Sequence, residues 1–215
     1  MIAKKEIDEL KKKAKKFCLK KYNVEKTDGK SIGTLIEKEF KAFIGLISSG
    51  NTAKGIDLPE FETDIKVTSI NKPQSSSPYE NAEQKIFGLG HNLLVFVYKL
   101  VNKKLEFVSC SYIPKENTSD YGVTSMLVQM KKDGANKQDI IGFLNDKKIP
   151  ANNDILSEIA DRLLSNNIKI GCLSISNALQ WRLSFNKICP NINGQTKNFS
   201  NNEIRMFNVF HIVNN

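Results

Sequence analysis

The sequence predicts an α/β fold, a mixed central β-sheet flanked by helices and carrying a helical insert. Three observations lead there. Two segments of helical period fill the first fifty residues. An alternating stretch at Glu62–Thr68 is followed by two continuous apolar, β-prone runs, Leu93–Leu100 and Leu105–Ile113. Residues 119 to 166 then return to helical spacing before extended patterns resume.

Taken in order, residues 3 to 22 read as an amphipathic helix with Ile7, Leu10, Ala14, Phe17 and Cys18 on one face and lysines over the rest. The turn Thr27-Asp28-Gly29-Lys30 leads into a second helix over 31–48, marked by Ile32, Leu35, Ile36, Phe40, Phe43 and Ile47 and stopped by Ser48-Ser49-Gly50-Asn51. Glu62–Thr68 alternates polar with apolar or β-branched residues, as a strand with one wet face does. The Ser- and Pro-rich Asn71–Pro78 is expected to be a loop, and Glu80–Phe87 a short helix. Leu93–Leu100 has the continuous apolarity of a central buried strand, and Leu105–Ile113 is its neighbour across the turn Asn102-Lys103-Lys104. Three helices follow, punctuated by Gly134-Ala135-Asn136 and Pro150-Ala151-Asn152-Asn153. Their spacing resembles a helix-turn-helix only distantly, and plain packing is the preferred reading. Ile168–Ser174, Leu179–Phe185 and Glu203–Val213 are apolar and partly extended. The expected organisation is one domain over 1–215: a core at 30–113, the insert at 119–166 and a C-terminal segment at 168–215.

Composition narrows the class. With 215 residues, 40% hydrophobic and 26% charged, the chain is of a globular kind that needs no disulfide or metal staple. The longest strongly apolar run, Leu93–Val97, is too short to cross a bilayer, and the lysine-rich N-terminus has no apolar stretch behind it, so a cytoplasmic location is expected. Cys18, Cys110, Cys172 and Cys189 are scattered without a CxxC pair. With only His91 and His211 beside them they suit buried reduced thiols better than a zinc site. The net charge of +9 and pI near 9.3 favour polyanionic partners.

The informative stretch runs from Gly55 through Asp57 to Thr68. On a strand, Asp64 and Lys66 project to one face while Ile65 and Val67 enter the core. Asp57 starts the hairpin that feeds this strand. Two carboxylates converging beside an ammonium group suit metal-assisted phosphodiester hydrolysis: the carboxylates hold a hard divalent cation, and the ammonium orients water or meets charge on the phosphate. Solvent-facing charges are the plainer reading of a D-x-K triplet, and Glu60 and Glu62 compete for the ligand role.

Asp57 followed seven residues later by Asp64-Ile65-Lys66 resembles the PD-(D/E)xK nuclease signature. The form D-L-P-E-x-x-x-D-I-K looks most like the MutH-like subgroup of mismatch-repair and restriction nucleases. Gly33-Thr34-Leu35-Ile36-Glu37 matches that group's G-x-L-L-E segment, where Gly33 would let the backbone approach the site. A capping box at Thr34-x-x-Glu37 is the alternative. Ile56, not proline, precedes the first aspartate. The resemblance covers roughly residues 30 to 100. It implies a restriction-endonuclease-like core and Mg²⁺ held by Asp57, Asp64 and the Ile65 carbonyl. Lys66 would position the attacking water, Glu37 would hold a metal-bound water or Lys66, and Lys85 would be a further catalytic lysine. The implied activity is that of a type II restriction endonuclease on double-stranded DNA, leaving 5′-phosphate ends, with a cognate methyltransferase as functional partner and a homodimer as one assembly. A MutH-like nicking enzyme, or a non-catalytic DNA-binding protein in which Asp57, Asp64 and Lys66 are exposed and dispensable, are the alternatives.

Specificity needs side chains that reach base edges. Gln74, Ser75 and Ser76 follow the catalytic strand directly. In Ser174–Lys187, an extended chain would set Gln180, Arg182 and Ser184 against Trp181, Leu183 and Phe185, with Lys187 beyond. An ordinary amphipathic strand with Trp181 in the core is the other reading. Lys187, Lys197 and Arg205 would supply backbone clamps.

Overall fold

The computed structural model describes residues 4–46, 55–176, 180–189 and 207–211. The chain divides into two compact units, the first formed by Met1–Ser75, His91–Pro114 and Phe185–Asn215 and the second by Ser76–Gly90 and Lys115–Ser184. The helices expected as an insert are thus joined in their unit by residues 76–90 and by 167–184.

In the first unit, helix α1 (Lys4–Phe17) and helix α2 (Gly29–Ile44) accompany a sheet of β1 (Lys21–Asn23), β2 (Thr63–Ser69), β4 (Asn92–Val101), β5 (Lys104–Ile113) and β8 (Asn208–His211). The order is β1-β5-β4-β2, with β8 also on β5. Strands β2 and β4 are parallel while β4–β5, β1–β5 and β5–β8 are antiparallel, so the sheet is mixed, as expected. Strand β3 (Gln74–Ser77) replaces part of the predicted loop. Its start is tied to β2 by the Thr68 hydroxyl, which donates to Gln74 O at 3.1 Å and accepts from Gln74 N at 3.0 Å. Ser and Pro content concealed a segment whose backbone groups have partners.

The first helix is shorter than predicted. It ends at Phe17, and the residues expected as its last turn become β1, with Lys21 opposite Glu106 and their side chains 2.6 Å apart. The second helix starts two residues early because the Asp28 carboxylate caps it, accepting from Ser31 N at 2.9 Å. Thr34 therefore lies inside the helix and forms no capping box. The helix ends at Ile44, where Gly45 takes a left-handed φ of 85° and closes the C-terminus. The predicted stop at 48–51 lies outside the described residues. Phe17, Phe40, Phe96 and Phe107 interlock at the centre of the core, with Phe17–Phe40 and Phe40–Phe96 centroids 5.1 Å apart, edge to face.

The second unit holds α3 (Gln84–Phe87), α4 (Tyr121–Lys132), α5 (Lys137–Asp146), α6 (Asn153–Ser165), β6 (Ser174–Ser176) and β7 (Trp181–Ser184). The helices bury Val123, Leu127, Ile140, Leu144, Leu156 and Ile159 against one another, the packing reading of their spacing. Strands β6 and β7 form an antiparallel pair with Ile175 opposite Leu183. Residues 168 to 173, expected to be extended, are not a strand. They are pinned instead by Cys172 N to Asn117 O at 3.0 Å and Gly171 N to Thr124 Oγ1 at 2.9 Å. Only glycine fits at 171, because a Cβ there would lie 2.1 Å from Ser119 O. Asp120 is the unit's main polar tie, capping α4 at Val123 N (2.8 Å) and accepting from Ile175 N (2.7 Å). Among the described residues, no helix is long and apolar enough to cross a membrane.

Candidate active site

The hairpin at 57–64 explains how two aspartates seven residues apart come to meet. Leu58 and Thr63 exchange both backbone hydrogen bonds, Leu58 N to Thr63 O at 2.9 Å and Thr63 N to Leu58 O at 3.1 Å. A 3₁₀ turn, Pro59–Phe61, and Glu62 in a left-handed conformation (φ 44°) close the loop between them. Asp57 and Asp64 flank that pair, so they face each other on the next rung. The turn is held from β4: Asn92 Nδ2 donates to the carbonyls of Phe61 and Glu62, each at 3.1 Å, and Asn92 N donates to Glu62 O at 2.8 Å. Glu60 and Glu62 are exposed at the turn, which leaves the inner positions to the aspartates.

Asp57 and Asp64 carry their carboxyl groups close enough for each to shift the other's titration. Asp57 Oδ2 accepts from Ile65 N at 3.0 Å. Lys66 Nζ stands 2.7 Å from Asp64 Oδ2, on the same strand face, and His91 Nε2 is 3.9 Å from that oxygen. Helix α2 brings Glu37 and, one turn later, Lys41, whose ammonium lies 2.5 Å from Glu37 Oε1 and 3.4 Å from Asp57 Oδ1. Glu37 therefore pairs with Lys41 and not with Lys66. At Gly33 a Cβ would meet no protein atom within 4 Å, so no neighbour in the chain requires glycine there.

The cluster is buried enough to reshape its titration. Burial raises the Asp64 carboxyl to about 6, and the neighbouring Asp57 adds to the rise against the pull of Lys66. Burial would raise Asp57 as well. Hydrogen bonds from Asp64, the Ile65 amide and Glu37, with the Lys41 charge, hold it below the usual carboxylate value instead. Burial raises Glu37, opposed by Lys41. Two neighbouring carboxyls, one of them half-protonated near pH 6, mark a place where negative charge is crowded. Among the described residues, no set of three or more His, Cys, Asp or Glu groups is arranged to enclose a metal ion. The all-oxygen pair Asp57–Asp64 fits a hard divalent cation that keeps several of its waters.

Lys85 belongs to the second unit, where it is buried. Burial pulls its ammonium below the usual lysine value, against the opposing carboxylate of Asp120. Gln74 and Ser75 are half-buried on β3 in the first unit, and Ser76 follows at the start of the second. Gln180 and Arg182 are exposed, whereas Trp181, Leu183 and Phe185 are buried, the alternation expected of an extended segment. Trp181 is in the core, its Nε1 donating to Gln84 Oε1 at 2.8 Å. Lys187 is half-buried in the first unit; Lys197 and Arg205 lie outside the described residues. Sequence reasoning missed Lys41 and His91. The i,i+4 spacing of Glu37 and Lys41 on one helix was a usable signal for the first. His91 precedes Asn92, which lies opposite Thr63 in the parallel register, a relation visible only once β2 and β4 are paired.

The profile of the type II restriction enzyme NspV family matches residues 4–199. The type II restriction enzyme NspV of Nostoc sp. (strain ATCC 29411 / PCC 7524) is 40% identical over 171 residues, covering 75% of this chain and 78% of that protein. No solved structure matches. With the family profile spanning most of its length, the chain belongs to the type II restriction enzyme NspV family.

Proposed function

We propose that this type II restriction enzyme hydrolyses phosphodiester bonds of double-stranded DNA at the Asp57–Asp64–Lys66 cluster, with Mg²⁺ as cofactor, by the chemistry of PD-(D/E)xK nucleases. The observation that carries the reading is the hairpin pairing that sets Asp57 opposite Asp64, with the Lys66 ammonium 2.7 Å from Asp64 Oδ2. Asp57, Asp64 and the Ile65 carbonyl would hold the cation, which when bound polarises the scissile phosphate and acidifies water. Lys66 orients the attacking water and meets the negative charge growing on the phosphate. The water oxygen bonds to phosphorus as the P–O3′ bond breaks, and the leaving 3′-oxygen takes a proton, giving 5′-phosphate and 3′-hydroxyl ends. Glu37, paired with Lys41 beside Asp57, would hold a metal-bound water, and Lys85 is a further catalytic lysine by resemblance.

Gln74, Ser75, Ser76, Gln180, Arg182 and Lys187 are the proposed DNA contacts. Exposed Arg182 and Gln180 are the side chains suited to guanine and adenine edges. The setting is cytoplasmic, with a cognate methyltransferase protecting host DNA, and a homodimer would read a palindromic site. A non-catalytic role fits poorly with Asp64 and Lys66 side chains only 8% and 13% exposed.

The test is digestion of unmethylated plasmid with Mg²⁺ by wild type, Asp64→Ala and Lys66→Ala. Discrete fragments from wild type alone support the reading. Nicked circles alone indicate a MutH-like strand-nicking activity, and fragments from both variants refute the site.

A further inference from the structure

Lys41 joins α2 to the aspartate hairpin through an ion pair. Its Nζ bridges Glu37 Oε1 at 2.5 Å and Asp57 Oδ1 at 3.4 Å, and its side chain is 19% exposed. Placing an ammonium there costs desolvation, which the two carboxylates offset. The same Asp57 carboxylate spends its other oxygen on the Ile65 amide at 3.0 Å and neighbours Asp64. Oδ1 is thus the Asp57 oxygen that faces Lys41, and its contact is the longer of the two the ammonium makes.

We propose that Lys41 is the resident counter-ion of the site, a positioning residue that holds Glu37 and Asp57 together when no divalent cation is bound and competes with such a cation for Asp57. The inference rests on the Asp57–Asp64 metal site proposed above. When all five groups are ionised, Glu37, Asp57 and Asp64 carry three negative charges against two positive charges from Lys41 and Lys66. Removing Lys41 leaves the carboxylates less neutralised, so a cation is attracted more strongly. A purely structural lysine has the opposite signature, because its loss loosens the carboxylates and weakens binding. On divalent-cation arrival, Lys41 retains Glu37 and yields its longer contact to Asp57. This would hand the carboxylate from one cation to another without leaving it uncompensated in a buried place.

The test is titration of the full-length protein with Mg²⁺ alone, followed by calorimetry and thermal unfolding, in wild type, Lys41→Met, Lys41→Gln, Lys41→Arg and Asp57→Ala. Lys41→Gln keeps a donor for Glu37 and guards against misfolding of the methionine variant. Lys41→Met and Lys41→Gln should bind Mg²⁺ more tightly, on the order of 10-fold for one unit charge a few ångströms away at a partly screened site. Their metal-free melting temperatures should fall below wild type, and Lys41→Arg should restore both quantities. Unchanged or weaker Mg²⁺ binding in both neutral variants, beside normal wild-type binding that Asp57→Ala abolishes, overturns the role of Lys41 alone. Absence of Mg²⁺ binding in every protein overturns the metal site and this inference with it.

Discussion

Oδ2 of Asp57 accepts a 3.0 Å hydrogen bond from the amide of Ile65, the residue that follows Asp64 in β2. A carboxylate on one arm of the hairpin is thereby tied to the backbone of the other, and its position follows strand geometry more than its own rotamer. The two obvious substitutions should separate as a result. Asp57→Asn keeps an acceptor for the Ile65 amide, so its stability should stay near wild type while cleavage is lost. Asp57→Ala leaves that amide unpaired in a residue only 6% exposed, which costs about 1–3 kcal/mol as well as activity. Urea unfolding beside a plasmid assay distinguishes the two, and equal stability of both variants would contradict the tie.

Asp64 supplies a pH dependence with a definite sign. Its carboxyl moves from an ordinary 3.8 to about 6 in the folded chain, so the folded state binds more protons than the unfolded state between those values. Stability therefore declines as pH rises from about 4 through 6, and the ionised group burdens the metal-free protein by up to roughly 3 kcal/mol at neutral pH. Asp64→Asn, which imitates the protonated carboxyl, should be more stable than wild type at pH 7.5 and equal to it near pH 4. Thermal unfolding of metal-free protein across that range is the check. A gain that persists unchanged at pH 4 would point to packing and not to charge.

Much of this site was legible because it depends on short-range periodicity. Asp64 and Lys66 had to share a strand face, and Asp57 had to enter through the hairpin, once 62–68 alternated as it does. Trp181, Leu183 and Phe185 likewise fall on one face by alternation once the segment is read as extended. What escaped depends on pairing over distance. The turn of Lys21–Asn23 out of helical form is decided by Glu106 and Leu105 across the sheet, and helical period in lysine-rich sequence could not reveal that. The strand at Gln74–Ser77 was hidden because its side chains are small and polar while its backbone bonding is ordinary. Lys41 was lost among the chain's many lysines, since its partners became evident only when the hairpin met α2.

Asn92 is the residue on which the aspartate turn rests. Its side chain satisfies the carbonyls of Phe61 and Glu62, and its amide bonds Glu62 O at 2.8 Å, just where the backbone passes through a left-handed conformation. Asn92→Ala should destabilise the protein by about 1–3 kcal/mol through the two unpaired carbonyls. Because the Asp57–Asp64 distance depends on that turn, cleavage should fall further than stability accounts for. The comparison to make is activity at a temperature where both proteins are fully folded. Activity equal to wild type under that condition would show that the turn holds its shape without Asn92.

Lys85 allows a packing role and a catalytic role to be told apart by one substitution. It is buried, at 7% exposure, and burial lowers its ammonium pKa despite the favourable field of Asp120. A base whose folded value is depressed takes up fewer protons folded than unfolded, so its cost is fully present below the folded pKa and is relieved as pH rises towards the ordinary lysine value. Lys85→Met removes the charge and keeps most of the side-chain volume. The variant should melt at a higher temperature than wild type at pH 7.5, with the advantage shrinking at pH 10. If Lys85 is the further catalytic lysine that the nuclease resemblance implies, the same variant should cleave DNA poorly while folding better, the trade expected where a functional charge is kept buried at a cost in stability. Higher stability with wild-type cleavage would remove Lys85 from the catalytic set and leave it as a strained packing residue of the second unit.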